Sequence, residues 1–172
     1  MTQQLTVLEN DTALSFNFDE ALNYHGRGFP GGVAHGFKML EAALPLLNGG
    51  RPVERRKLHV LTAFPGPGAR DVVELVTRAN TEGRYEVDIQ AGDQAAVEAA
   101  RGRYWFRVTY GNTVIELVVQ PGIIDPEFIA LGRKPDRTPE DERRQEVLKH
   151  EMANRIMALP AGQVYLARQV SE

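Results

Sequence analysis

Leu58-His59-Val60-Leu61-Thr62-Ala63-Phe64-Pro65-Gly66-Pro67-Gly68 is the stretch on which the fold turns. Its first seven residues are short, apolar and β-rich, bounded in front by the charged run Arg51 to Lys57 and behind by Pro-Gly, which reads as a mostly buried strand entering a turn. On its N-terminal side, Val33, Phe37, Leu40, Leu44 and Leu47 recur at helical spacing after Pro30, and Asn48-Gly49-Gly50 stops that helix. Pro45 is placed to kink its last turn. On the C-terminal side, Val72, Val73, Leu75, Val76 and Ala79 mark a second helix that stops around Glu82-Gly83. Tyr85 to Ile89 alternates as a strand, and the alanine-rich Gln94 to Arg101 reads as a short helix or turn. A hairpin follows: Tyr104, Phe106 and Val108 alternate before Gly111-Asn112, and Val114 to Val119 supplies the more buried partner. Asp125-Pro126 and Thr138-Pro139 each begin a helix with a cap and a first-turn proline, and Val164-Tyr165-Leu166 closes the chain as a strand. The order predicts an α/β or α+β sandwich, which we take as α+β, with a mixed sheet and helices mainly on one face.

The 172 residues suit a single domain spanning 1–172, with a polar N-terminal arm or short edge element over 1–16 and a C-terminal helix and strand over 138–172. With 42% hydrophobic and 25% charged residues the composition is that of an ordinary globular protein. A net charge of -3 gives no basic face for nucleic acid, and the runs Arg51 to Lys57 and Arg133 to Arg137 read as solvated linkers. No apolar run approaches the roughly 18 residues of a membrane span, and the start lacks a signal-peptide layout, so no membrane association and a cytoplasmic location are expected. Cysteine is absent, which excludes disulfides, thiolate nucleophiles and thiolate metal sites. The four histidines are scattered, none paired at helical zinc spacing; His35, off the apolar stripe, reads as a solvated helix histidine, and Lys38 as lying on the polar side.

Chemistry concentrates in Tyr24-His25-Gly26-Arg27-Gly28-Phe29-Pro30-Gly31-Gly32. Asn17 and Glu20 have capping-box spacing, so a helix runs from about Phe18 to His25 and Gly26 and Gly28 stop it. The turn therefore joins a helix C-terminus, beside His25, to a helix N-terminus near Phe29, with Arg27 between them: a place for an anion. Gly66 to Arg70, between strand and helix, could bring backbone N–H groups and Arg70 to the same anion, although Pro67 removes a donor. The expected ligand-binding residues are Tyr24, His25, Gly26, Arg27, Gly28 and Arg70, with His25 as the one candidate acid or base. The same residues also fit plain structure, with glycines for tight packing, His25 capping a carbonyl, Arg27 in water and a tight strand-to-helix turn at Gly66. Of Tyr104 and Trp105, which alternate across a strand, one is expected in the core and the other over an interface.

The stretch from Tyr24 to Gly31 resembles the signature of the FmdE family of formylmethanofuran dehydrogenase components: aromatic, His, Gly, His, any residue, Cys, Pro, Gly. Tyr24, His25, Gly26, Pro30 and Gly31 match it. Pro121 to Lys134 is similar to the family's Pro-Gly, acidic, Phe-Ile-x-Leu-Gly-Arg-Lys segment, so that Phe18 to Val170 falls inside the resemblance. It implies a fold like the substrate domain of glyceraldehyde-3-phosphate dehydrogenase and a homodimer, with the Tyr104 to Tyr110 strand or the Phe37 helix expected at the contact. It also implies a metal site that this chain has lost. Arg27 stands for the second His, Phe29 for the Cys, Gly66 to Gly68 for the region of a later cysteine and Ala79 for another. A phenyl ring cannot ligate zinc, and a guanidinium repels a cation while donating to a carboxylate or phosphate. No cofactor is expected. The expectation is an accessory or small-ligand-binding protein for an anionic or cofactor-like molecule; the alternatives are an enzyme of one-carbon or carbonyl metabolism using His25, or a structural component of a larger oxidoreductase.

Overall fold

The computed structural model describes residues 3–171; Met1, Thr2 and Glu172, the outer ends of the expected arm and C-terminal segment, lie outside the described residues. The rest of the 1–16 segment folds as a β-hairpin, β1 (Gln4–Glu9) against β2 (Thr12–Asn17). Asn10 and Asp11 turn it, both at positive φ (49° and 64°), the backbone that matches the twist of a two-residue hairpin. Leu5 and Val7, at period two, point inward and are 2% and 0% exposed, so the sparse apolar positions were one buried strand face.

After the hairpin come α1 (Phe18–His25), α2 (Pro30–Leu47), β3 (Leu58–Thr62), α3 (Pro67–Thr77), β4 (Tyr85–Val87), β5 (Trp105–Tyr110), β6 (Thr113–Val119), α4 (Pro126–Arg133), α5 (Pro139–Met157), a short α6 (Ala161–Val164) and β7 (Tyr165–Val170). The capping box at α1 is formed, with Glu20 N–H donating to Asn17 Oδ1 at 2.9 Å and Asn17 N–H to Glu20 Oε2 at 2.7 Å. The alanine-rich stretch Gln94 to Arg101 is turns, not a helix, closed by a bridge between Glu98 and Arg103.

The fold is α+β. Five strands run in the order β4-β3-β5-β6-β7, β3 and β4 parallel and the other pairs antiparallel, so the sheet is mixed. Phe106 opposite Leu117 and Val108 opposite Ile115 place one buried row toward the helices. α2 lies on β5, β6 and β7, with α1, α3 and α5 against its other sides. On the far face the segment after β4 covers Trp105, where Gly92 (φ +81°) is required: a Cβ there would run into the indole.

The central position of α2 and the local cover over Trp105 overturn several expectations. His35 and Lys38 are both fully buried, because the N-terminal part of α2 is surrounded, its residues 33–40 all being buried; the Lys38 ammonium reaches Glu41 at 3.3 Å. Phe37 is also fully buried, so it cannot serve a dimer contact. Tyr104 and Trp105 are each 1% exposed, one in the main core and one on the opposite face, and neither is left to cover an interface. Arg55 is no solvated linker residue: it donates to the carbonyls of Val76 (2.9 Å) and Leu75 (2.7 Å), satisfying the C-terminal end of α3.

Candidate functional site

α1 stops at His25, where Gly26 takes φ +108° and donates its N–H to the Leu22 carbonyl at 2.7 Å. The chain then turns and α2 begins at Pro30. Neither α2 nor α3 has a side-chain cap, and both open on a proline. Without caps, the N–H groups of Gly31 and Gly32 on one helix and of Gly68 and Ala69 on the other have no acceptor within their own helices. The two ends meet through glycine: a Cβ on Gly68 would stand 2.6 Å from the Val33 nitrogen and 2.7 Å from the Gly32 carbonyl carbon. Each end carries about half a positive charge, so two ends in contact repel unless a negative group lies between or beside them.

Beside this junction is a cleft of about 290 Å³ lined by Gly31, Gly32, Gly66, Pro67 and Gly68 from the helix ends and by His25, Phe29, Phe64, Phe128 and Lys149 around them. Its surface is mainly apolar, with two polar side chains. His25, with a side chain 9% exposed, bonds through Nδ1 to Asp71 Oδ2 at 2.7 Å. With the carboxylate accepting, Nδ1 holds the proton and Nε2 is left for a ligand. The Lys149 ammonium sits 4.1 Å above the centre of the Phe29 ring and 2.9 Å from Glu146.

A neighbouring cavity of about 230 Å³ shares Gly32, Phe64, Gly66 and Phe128 with it and adds His35, Arg101, Tyr104 and Met152. His35 Nδ1 is 2.7 Å from the Tyr165 hydroxyl. Burial, with Arg155 as the smaller cause, pushes the His35 imidazole down to about 3, so it is neutral at physiological pH. A separate depression of about 250 Å³ between the hairpin and the end of α2 has neither histidine nor uncapped helix end.

The structure brings together some of the residues expected from sequence. His25 lines the cleft, and the turn at Gly66 to Gly68 meets the Gly31-Gly32 turn as one wall. Gly26 and Gly28 shape the turn without lining it. Tyr24 is half exposed outside it. Arg27 turns back along α1, donating to Asn23 Oδ1 (3.0 Å) and Asp19 Oδ1 (3.3 Å), and Arg70 donates to Asp71 Oδ1 at 2.9 Å, so neither guanidinium lines the cleft. Asp19 thus has a side-chain partner besides its place in the first turn. Asp71, Lys149, His35, Phe64 and Phe128 are site residues that the sequence does not single out. One signal could have pointed there: Gly32 and Gly36, four apart beside the apolar stripe, mark a second packed side of α2, against α3. Among the described residues, no three or more histidine, aspartate or glutamate side chains gather as a metal-binding group. No family model matches this chain, and no curated protein matches it either.

Proposed function

We propose that this protein is a divergent relative of the FmdE family that binds a small anionic molecule with an apolar body. The observation that carries the reading is the contact of two uncapped helix N-termini at one cleft with His25 and Lys149 on its rim. The anionic head belongs at the N–H groups of Gly31, Gly32, Gly68 and Ala69, and the apolar body against Phe29, Phe64 and Phe128. A family-type metal does not fit: His25 and Asp71 bring two donor groups, already bonded to each other, where about four are wanted. Two-dimensional NMR with benzoate tests the reading. The amides of Gly31, Gly32, Gly68 and Ala69 shift together and saturably, and Lys149→Ala weakens binding severalfold; unmoved amides at millimolar benzoate would falsify it.

The His25–Asp71 pair supports a second reading, an acid–base enzyme acting on a carbonyl or carboxylate compound, in which Asp71 positions the imidazole and Nε2 exchanges the proton. Turnover that survives unchanged in His25→Gln excludes it. We take the protein as a cytoplasmic homodimer, supported by its having no helix long and apolar enough to cross a membrane among the described residues and by the helix-free face of its sheet.

A further inference from the structure

The face of the sheet turned away from the helices is half covered and half open. Its side chains stand in rows across the strands. Leu61, Arg107, Glu116 and Arg168 form one row, with Trp105, Val118 and Leu166 on one side of it and His59, Thr109, Val114 and Val170 on the other. The segment after β4 lies over Trp105, bringing Ala91 and Ala96 to the indole, and makes a raised shoulder on that part of the face. Beyond the shoulder Leu166 is 52% exposed. A depression of about 110 Å³ lies at the boundary, lined by Asp93, Glu116, Val118, Leu166 and Arg168.

The charges around that depression do not balance in place. Glu116 is satisfied, because Arg107 donates to it at 2.7 Å. Arg168 comes no nearer than 3.9 Å to the same carboxylate, and its side chain is 67% exposed. Asp93, on the margin of the shoulder, accepts the Ala95 N–H at 2.8 Å through Oδ1 and pairs with no basic side chain among the described residues. The open half of the face thus carries an unpaired cation and the covered half an unpaired carboxylate, with Val118 and Leu166 lining the ground they share. A raised half beside an open half, with opposite charges on the two, is complementary to itself under a two-fold rotation. That rotation lays the shoulder of each copy over the open half of the other.

We infer that a second copy of the chain docks on this face, with Arg168 of each copy reaching Asp93 of the other across a patch that buries Leu166 and Val118. The inference rests on the homodimer reading and adds the contacts that set how the copies meet. The apolar side chains supply the area removed from water, and the charge pairs select the arrangement, since like charges brought together there exclude it. Because the rotation repeats every contact, one substitution alters two pairs. Sedimentation of charge-reversed full-length chains tests this. Arg168→Asp opposes carboxylates and Asp93→Arg opposes cations, and each should weaken dimerisation at least about tenfold. Asp93→Asn, which keeps the acceptor for the Ala95 N–H, should also weaken it. The double variant Arg168→Asp/Asp93→Arg rebuilds both pairs with the signs exchanged and should return to within about threefold of the parent. Arg27→Asp, which changes the net charge as much from the turn between α1 and α2, should leave dimerisation unchanged. Single reversals without effect, an equal effect of Arg27→Asp, or a double variant as weak as the singles overturns these contacts and leaves a dimer built elsewhere on the chain. An intact chain that sediments as a monomer at every concentration removes the homodimer reading and this inference with it.

Discussion

His35 has a consequence for stability that needs no ligand to observe. Its folded-state value of about 3 lies below the ordinary value of 6.5, so between those limits the unfolded chain binds the extra proton. Stability is therefore fully present above pH 6.5 and declines as pH falls toward 3, by about 1.4 kcal/mol per pH unit. Urea denaturation at pH 7 and pH 5 should show a loss of about 2 kcal/mol, and His35→Asn should flatten it. The exposed carboxylates held down by basic partners, Glu98 by Arg133, Glu127 by Arg144 and Asp141 by Lys134, act only below about pH 4.5 and leave that window clear. At His25 the same scale gives a metal prediction: with no cysteine in the chain and Asp71 as its bonded neighbour, protein dialysed without chelator should carry no stoichiometric zinc or iron by elemental analysis. A metal in every chain would imply ligands beyond this pair.

Among elements, the junction of α2 with α3 is the most constrained. A methyl group on Gly68 meets backbone that cannot step aside, and one on Gly36 meets the Ala69 Cα at 2.8 Å, whereas Gly28 has open space around it. Gly68→Ala and Gly36→Ala should each cost about 2–4 kcal/mol in denaturation experiments. Gly28→Ala should be within about 0.5 kcal/mol of the parent. Val7→Ala in β1 should cost about 1–2 kcal/mol because that side chain is wholly buried; a free arm would lose nothing. Elements with local punctuation were legible in the sequence. The capping box placed the start of α1, and Gly26 its end, because the signals lie within four residues of the boundary. The burial of His35 and Lys38 was not, since it depends on α3 and α5 closing over the sides of α2 that the apolar stripe does not mark. The site was half legible for the same reason. His25 and the glycine turns announce themselves locally, while Asp71 reaches the His25 imidazole, and Lys149 the cleft, from 46 and 124 residues beyond His25.

For the molecule as a whole, the class of fold followed from the order of helices and strands, but strand order did not, because the side-chain pattern of a strand marks its buried face and not the neighbours it pairs with, as β5 beside β3 shows. The outer face of the sheet carries Leu166, 52% exposed, with Arg107, Glu116 and Arg168 around it and no helix across it among the described residues. On that surface we expect a two-fold dimer, so light scattering at micromolar concentration should return twice the 19.1 kDa chain mass, and Leu166→Glu should halve it. A sharp monomer mass across a wide dilution range would remove the dimer and leave the cleft, which one chain builds alone, untouched. The hydrogen bond from Tyr165 to His35 joins residues 130 positions apart, and β7 enters the sheet beside β6 alone. During synthesis, then, both paired helix ends are made before the midpoint of the 172 residues, but the proton on His35 is assigned only when β7 arrives. Until then the imidazole sits in α2 without the phenol that fixes its tautomer, so one internal protonation choice of the helix layer is made by a strand on the far edge of the sheet.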